Sequence, residues 1–220
     1  MRLVFSEKPI TESIEDARRL VGDYEKVGKP LVINYLRRWD PIFKTLKESI
    51  ASGHLGEVQS VSAHYVKGLL NGGSHVINLI QHLLGPIQAE RVNRIVPDGL
   101  EQDPTIDAIL RTGNRSPVYL CGADFRNYSI FEIDILFTES RAIITELGNV
   151  LTLQQVNESP LFPGYKVLGQ NSTQVGSLSD IMDTAIKMIH AFLVGNRDFN
   201  LCTGLSALAT QETCNALIEL

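Results

Sequence analysis

Three cysteines, Cys121, Cys202 and Cys214, are all that the 220 residues carry. They are odd in number, widely spaced and form no CxxC pair, so they suggest neither a zinc site nor a disulfide framework. A reducing cytoplasm is the default compartment. No stretch approaches the roughly 20 apolar residues that span a bilayer. The apolar run of Met1-Arg2-Leu3-Val4-Phe5-Ser6 is too short for a secretory signal. The net charge of −5 and a pI near 5.5 argue against nucleic acid or an anionic membrane as the main partner. Internal repeats and low-complexity segments are absent, and no third ligand gives His75 and His82 a metal-like spacing.

What is there reads as an ordinary globular chain, 44% hydrophobic and 20% charged, long enough for one sizeable domain or a domain with part of another. The organising stretch is Leu70-Asn71-Gly72-Gly73-Ser74-His75-Val76-Ile77-Asn78-Leu79-Ile80-Gln81-His82-Leu83-Leu84-Gly85-Pro86. It reads as a glycine turn opening into a buried helix, with Ser74 as the expected N-cap and Gly85-Pro86 as the stop. His75 falls in the first turn, where it suits either a core histidine or one facing a cleft.

Upstream, Leu3 to Ser6 and Leu31 to Tyr35 have strand composition, and between them Ser13 caps a helix carrying Ile14, Ala17, Leu20, Val21 and Tyr24. This is a strand–helix–strand unit of the parallel kind. A helix over 41–52 and a strand over 57–67 precede the central helix. Six strand-like runs with short connections follow it (89–96, 105–111, 118–122, 129–137, 142–147 and 150–156), a pattern of antiparallel hairpins. Residues 158–176 read as a loop, Ser179 as the cap of an amphipathic helix, and Gly204 as the start of a last helix. The expected class is α+β: a large, mostly antiparallel sheet with helices on one face, preceded by a βαβ remnant.

In this frame several short motifs fall in order. Glu7-Lys8-Pro9 follows a strand, and Asn34-Tyr35-Leu36-Arg37-Arg38-Trp39-Asp40-Pro41 follows another. Leu55-Gly56-Glu57-Val58 and Asn71-Gly72-Gly73-Ser74-His75-Val76-Ile77-Asn78 come next. Together they resemble the EKP, Arg-Arg-aromatic, G-x-I/L-G-x-V and D-x-G-x-H-x-x-D segments of the glucose–fructose oxidoreductase, inositol dehydrogenase and MocA family of nicotinamide-dependent dehydrogenases. The resemblance runs over the whole chain. It implies that residues 1–36 are the C-terminal remnant of a Rossmann-type nucleotide-binding domain and 37–220 the substrate-binding and oligomerisation domain. The G-x-G-x-x-G turn that seats a pyrophosphate on a helix N-terminus is missing from the sequence. NAD or NADP is therefore implied by the resemblance, while binding of either by these residues alone is not expected.

The resemblance also implies roles. His75 matches the general base that takes the hydroxyl proton while hydride leaves the carbon, and Lys8 the lysine that orients that hydroxyl. Glu7, Lys8 and Pro9 match the cofactor-side motif. Asn71 and Asn78 stand where the family has aspartates, so they can hydrogen-bond a substrate but hold no charge. The forked donors of Arg37 and Arg38 suit a phosphate or carboxylate, or equally an exposed basic strand end. Two functions follow. The first is the substrate-binding part of an NAD(P)-dependent oxidoreductase acting on a sugar, polyol or sugar nucleotide, not competent alone. The second is a non-catalytic oligomerisation or sugar-ligand-binding module of the same descent. A homo-oligomer paired through the sheet face is expected in either case.

Overall fold

In the computed structural model, which describes residues 2–195 and 201–220, two short strands open the chain. β1 (Val4–Glu7) and β2 (Leu31–Asn34) pair in parallel across α1 (Ile14–Lys26). The register follows from the helix between them, since a parallel pair needs a crossover. Ser13 accepts a hydrogen bond from the Asp16 amide and caps α1 as its sequence position predicts. All four residues of β2 are buried.

The unit does not make its own core. Val21, Leu31, Ile33 and Tyr35 pack with Cys202 and Ala207, while Val32 and Trp39 pack with Ile181, Ala185 and Leu201. The elements that cover it are α4 (Ile181–Leu193) and α5 (Gly204–Ile218), from the far end of the chain. Between these ends lie α2 (Pro41–Ala51), β3 (Val58–Val66) and α3 (Ser74–Leu84), then seven strands. These are β4 (Ile87–Ile95), β5 (Ile106–Thr112), β6 (Pro117–Ala123), β7 (Phe131–Phe137), β8 (Ser140–Thr145), β9 (Val150–Glu158) and β10 (Lys166–Val175).

Eight of these strands form one sheet in the order β10-β9-β8-β7-β3-β6-β5-β4. Every pairing is antiparallel except β3 with β6. That exception arises because α3, β4 and β5 intervene before the chain returns beside β3. Alternate residues then separate the two faces. Val61, Ala63, Tyr65, Leu110, Leu120, Ile133, Ile135 and Ile144 point into a core closed by Phe43 and Leu46 of α2, Ile77 and Ile80 of α3, and Cys214 and Leu217 of α5. Asp107, Ile109, Asp134, Arg141 and Ile143 lie on the opposite, half-exposed face. The α+β architecture with one helical layer is the one the sequence predicts.

Three local expectations need correction. Residues 166–175 are strand β10 rather than loop, because an edge strand with both faces wet carries no apolar alternation. Ser74 is not an N-cap: its backbone is already helical, a π-helical turn over Gly68–Gly73 runs straight into α3, and its hydroxyl donates to the Asn71 carbonyl at 3.0 Å. Ser179 does not cap α4 either, for it lies inside a short 3-10 turn over Leu178–Asp180 that feeds that helix.

Candidate active site

The π turn is where the site begins, and sterics explain its glycines. A Cβ on Gly72 would lie 1.9 Å from the Val66 carbonyl oxygen, and Gly68 has φ +82° with Asp103 packed against it. The turn exposes its amides, and Asp103 takes them: Leu70 N–H donates to Oδ1 at 2.7 Å and Asn71 N–H to Oδ2 at 2.9 Å. Behind it, Gly68 N–H donates to the Thr105 hydroxyl at 2.8 Å, which donates to Asp98 at 2.6 Å. The turn is thus held from beneath by two carboxylates and a threonine. Asn71 is consequently fixed on the rim.

Lys8, at the carboxyl end of β1, reaches this rim. Its ammonium donates to Asn71 Oδ1 at 2.8 Å and to the Asn71 carbonyl at 3.1 Å. Burial lowers its pKa, with the Asp103 charge opposing. The strand ends around it are tied together: Asn34 Nδ2 donates to Glu7 Oε1 at 2.7 Å, and Trp39 Nε1 donates to Asn34 Oδ1 at 2.9 Å. Pro9 lies beside Lys8 on the wall of a small hollow of about 190 Å³ that also meets Tyr35, Ser74 and Cys214.

His75, one turn into the helical run after Asn71, faces the cleft proper. Its ring meets the Tyr35 ring edge to face at a centroid distance of 5.4 Å. The cleft is a cavity of about 280 Å³ lined by Arg37, Tyr65, Val66, Lys67, Asn71, Gly72, His75, Ser129, Ile130, Phe131 and Leu147. Burial, then the nearby Lys8 and Arg37 cations, drive the His75 pKa down to about 3. The imidazole is therefore neutral at neutral pH.

The structure brings Lys8, Asn71, His75 and Arg37 together and leaves two of the expected ligand residues elsewhere. Arg38 is buried on the far side of its 3-10 turn, where Nη2 donates to the Leu201 carbonyl at 3.1 Å. Consecutive residues on a tight helical turn point apart, so only the first arginine of the pair can line the cleft. Asn78 is buried between α3 and α5, with Nδ2 on the Thr210 hydroxyl at 2.9 Å. Glu7 holds Asn34 rather than the cleft. Tyr35, Lys67, Asp103 and Phe131 belong to the site although sequence reasoning did not select them. Asp103 in particular sits in a turn-rich stretch with no periodic signal. No group of three or more histidine, cysteine or acidic side chains that could hold a metal ion occurs among the described residues.

No family model matches the sequence. It is similar to the uncharacterized oxidoreductase YdgJ of Escherichia coli, 39% identical over 62 residues that make up 28% of this chain and 18% of that protein. It is also similar to the scyllo-inositol 2-dehydrogenase (NADP(+)) IolW of Bacillus subtilis, 29% identical over 108 residues, 41% of this chain and 30% of that one. The chain thus spans less than a third of the length of these curated relatives. The fold is that of an NAD binding oxidoreductase from Klebsiella pneumoniae, with a TM-score of 0.75 at 15% identity, covering 99% of this chain and 70% of that one.

Proposed function

We propose that this chain belongs to the glucose–fructose oxidoreductase, inositol dehydrogenase and MocA family and is the substrate-binding part of an NAD(P)-dependent oxidoreductase acting on a sugar, polyol or sugar nucleotide. The observation that carries the reading is the meeting of Lys8 with Asn71, from segments 63 residues apart, on the rim of the cavity that His75 lines. In this reading Lys8 and Asn71 orient a substrate hydroxyl and the neutral His75 accepts its proton. The similarity to the scyllo-inositol 2-dehydrogenase named above supports the substrate class.

NAD(P) would supply the hydride acceptor for the substrate carbon. The residues present fit one end of it. Glu7-Lys8-Pro9 and Asn34-Tyr35 follow the carboxyl ends of two parallel strands, the edge at which open parallel sheets receive ligands. They do not fit the pyrophosphate: α1 opens on Thr11-Glu12-Ser13, with no glycine turn, and no other described turn supplies one between a strand and a helix of a parallel pair. We therefore assign residues 1–36 to the nucleotide-binding side and 37–220 to the substrate side, with turnover requiring a dinucleotide cradle from outside this sequence.

The test is ligand binding followed by NMR of the His75 ring. A neutral polyol such as myo-inositol at millimolar concentration is expected to shift the His75 resonances. Lys8→Ala is expected to weaken that binding about tenfold, as loss of a charge-assisted hydrogen bond does. Binding that ignores both residues would sink the assignment.

A specific observation also keeps the non-catalytic reading in play. The side chain that meets Lys8 is an amide, and the Asp103 carboxylate beneath it is engaged by backbone amides. Both readings share the expected homo-oligomer. The face of the large sheet opposite the helices exposes Tyr119 and Leu136 beside the Arg141–Asp134 ion pair, a mix of apolar and paired polar groups suited to self-complementary contact. Sedimentation at micromolar concentration is expected to give a dimer or larger species, and a clean monomer counts against it.

A further inference from the structure

Within the proposed substrate cleft, Arg37 stands out because it is built in place yet keeps its terminal nitrogens uncommitted. Its guanidinium lies 3.5 Å over the Phe131 ring, and its Nε donates to the Leu147 carbonyl at 2.8 Å. Among the described residues none accepts a hydrogen bond from its Nη atoms and no carboxylate pairs with it. The neighbours that hold it are themselves constrained. Leu147 sits at φ +59° and Glu146 at φ +51°, conformations that non-glycine residues rarely adopt, and a Cβ on Gly148 would lie 2.5 Å from Arg37 Nε. This backbone is bent to press a carbonyl onto Nε and leave the other edge of the fork open.

The charge around it points one way. The cavity lining includes the cations Arg37 and Lys67, with Lys8 just behind Asn71, and it includes no aspartate or glutamate; Asp103, beneath the rim, is engaged by the Leu70 and Asn71 amides. Lys67, like Leu147, is held at a positive φ, of 68°. A desolvated arginine with no counter-charge is costly unless something supplies one. A planar fork over an aromatic ring matches a carboxylate in geometry. The volume, about 280 Å³, suits a single sugar ring.

We infer that the ligand of this cleft is a monosaccharide-sized hydroxy acid whose carboxylate is received by the Nη atoms of Arg37. The inference rests on the proposed substrate cleft and narrows its substrate class. The acid would lie at the Phe131 wall and the hydroxyls at the Lys8–Asn71–His75 rim. Arg37 acts here as a specificity residue; it takes no part in the proton transfer.

The test is calorimetric titration of the chain with four probes: D-glucuronate, D-glucose, glucose 6-phosphate and myo-inositol. Glucuronate is expected to bind at least about tenfold more tightly than glucose, as a bidentate charge-assisted pair provides. Raising the salt concentration is expected to weaken glucuronate and leave glucose unchanged. Arg37→Gln should erase the preference for glucuronate over glucose, and Arg37→Lys should restore only part of it. Thermal unfolding of each variant, expected to match the parent chain, guards against a folding failure. Glucose bound as tightly as glucuronate overturns the inference and leaves the substrate cleft standing. Glucose 6-phosphate outcompeting glucuronate likewise overturns it, by assigning Arg37 to a phosphate. No binding of any probe overturns the cleft reading and the inference together.

Discussion

Replacing His75 by alanine is expected to lower sugar-oxidation turnover by about 10²-fold or more in the assembled enzyme, with KM changed far less. That is the loss expected when a positioned general base is removed. The ring stands at the cleft wall within the influence of Lys8 and Arg37, and packs on Tyr35. The pH profile checks the same assignment with a definite sign. A general base must be unprotonated, so kcat/KM falls as pH drops through the pKa of the free protein. Burial and two cations set that pKa at about 3 rather than near 6.5. A flat profile from neutrality down to the point where the fold itself fails is therefore expected. A limb centred near pH 6.5 would show that His75 is solvated and uncoupled from Lys8 and Arg37. Near-normal turnover in His75→Ala would remove the histidine from the chemistry and favour the non-catalytic reading. An acidic ligand bound at Arg37 would cancel part of that positive field and raise the His75 pKa, so the base would strengthen only when such a substrate is present.

Much of this was legible in the sequence because local signals and tertiary ones agreed. The parallel strand pair, the Ser13 cap and the alternation along β5 to β8 all follow from local sequence signals. So does the buried face of α3, whose Val76, Ile77, Ile80 and Leu83 pack on the sheet. Lys8 and His75 could be selected only through the resemblance, since a strand-end lysine and a half-buried histidine are individually commonplace. What was not legible depends on contacts between distant segments. Asp103 becomes part of the site only because the β4–β5 connection folds under residues 70 and 71. Tyr35 and Phe131 are apolar strand or strand-end residues until α3 and β7 place them beside His75 and Arg37. The two arginines are adjacent and chemically identical, and only the 3-10 turn over Leu36–Trp39 decides which one faces the cleft. Strand β10 was invisible for the opposite reason: nearly all of its side chains meet water, so burial left no pattern in its sequence.

The largest stability effect is expected at Trp39, and it bears on the site as well as the fold. The side chain is 2% exposed, packed edge to face on Phe5 at 5.8 Å and against Val32, Ile181, Ala185 and Leu201. Truncation to alanine is expected to cost about 3–5 kcal/mol, the usual range for emptying a buried tryptophan site. Against a typical total of about 5–15 kcal/mol this is a large share, and it should appear as a lower denaturation midpoint with an unchanged slope. Trp39→Phe separates two contributions. It keeps most of the apolar contact but leaves Asn34 Oδ1 without its indole donor, and the penalty for one such buried acceptor is about 1–3 kcal/mol. That bond is the last link of a chain from Trp39 to Asn34 to Glu7, one residue before Lys8. Trp39→Phe is therefore expected to loosen the strand ends and weaken sugar binding at the Lys8–Asn71 rim while the large sheet stays folded. Loss of stability with full ligand affinity would show instead that Asp103 and Thr105, acting through the π turn, hold that rim without help from β1 and β2.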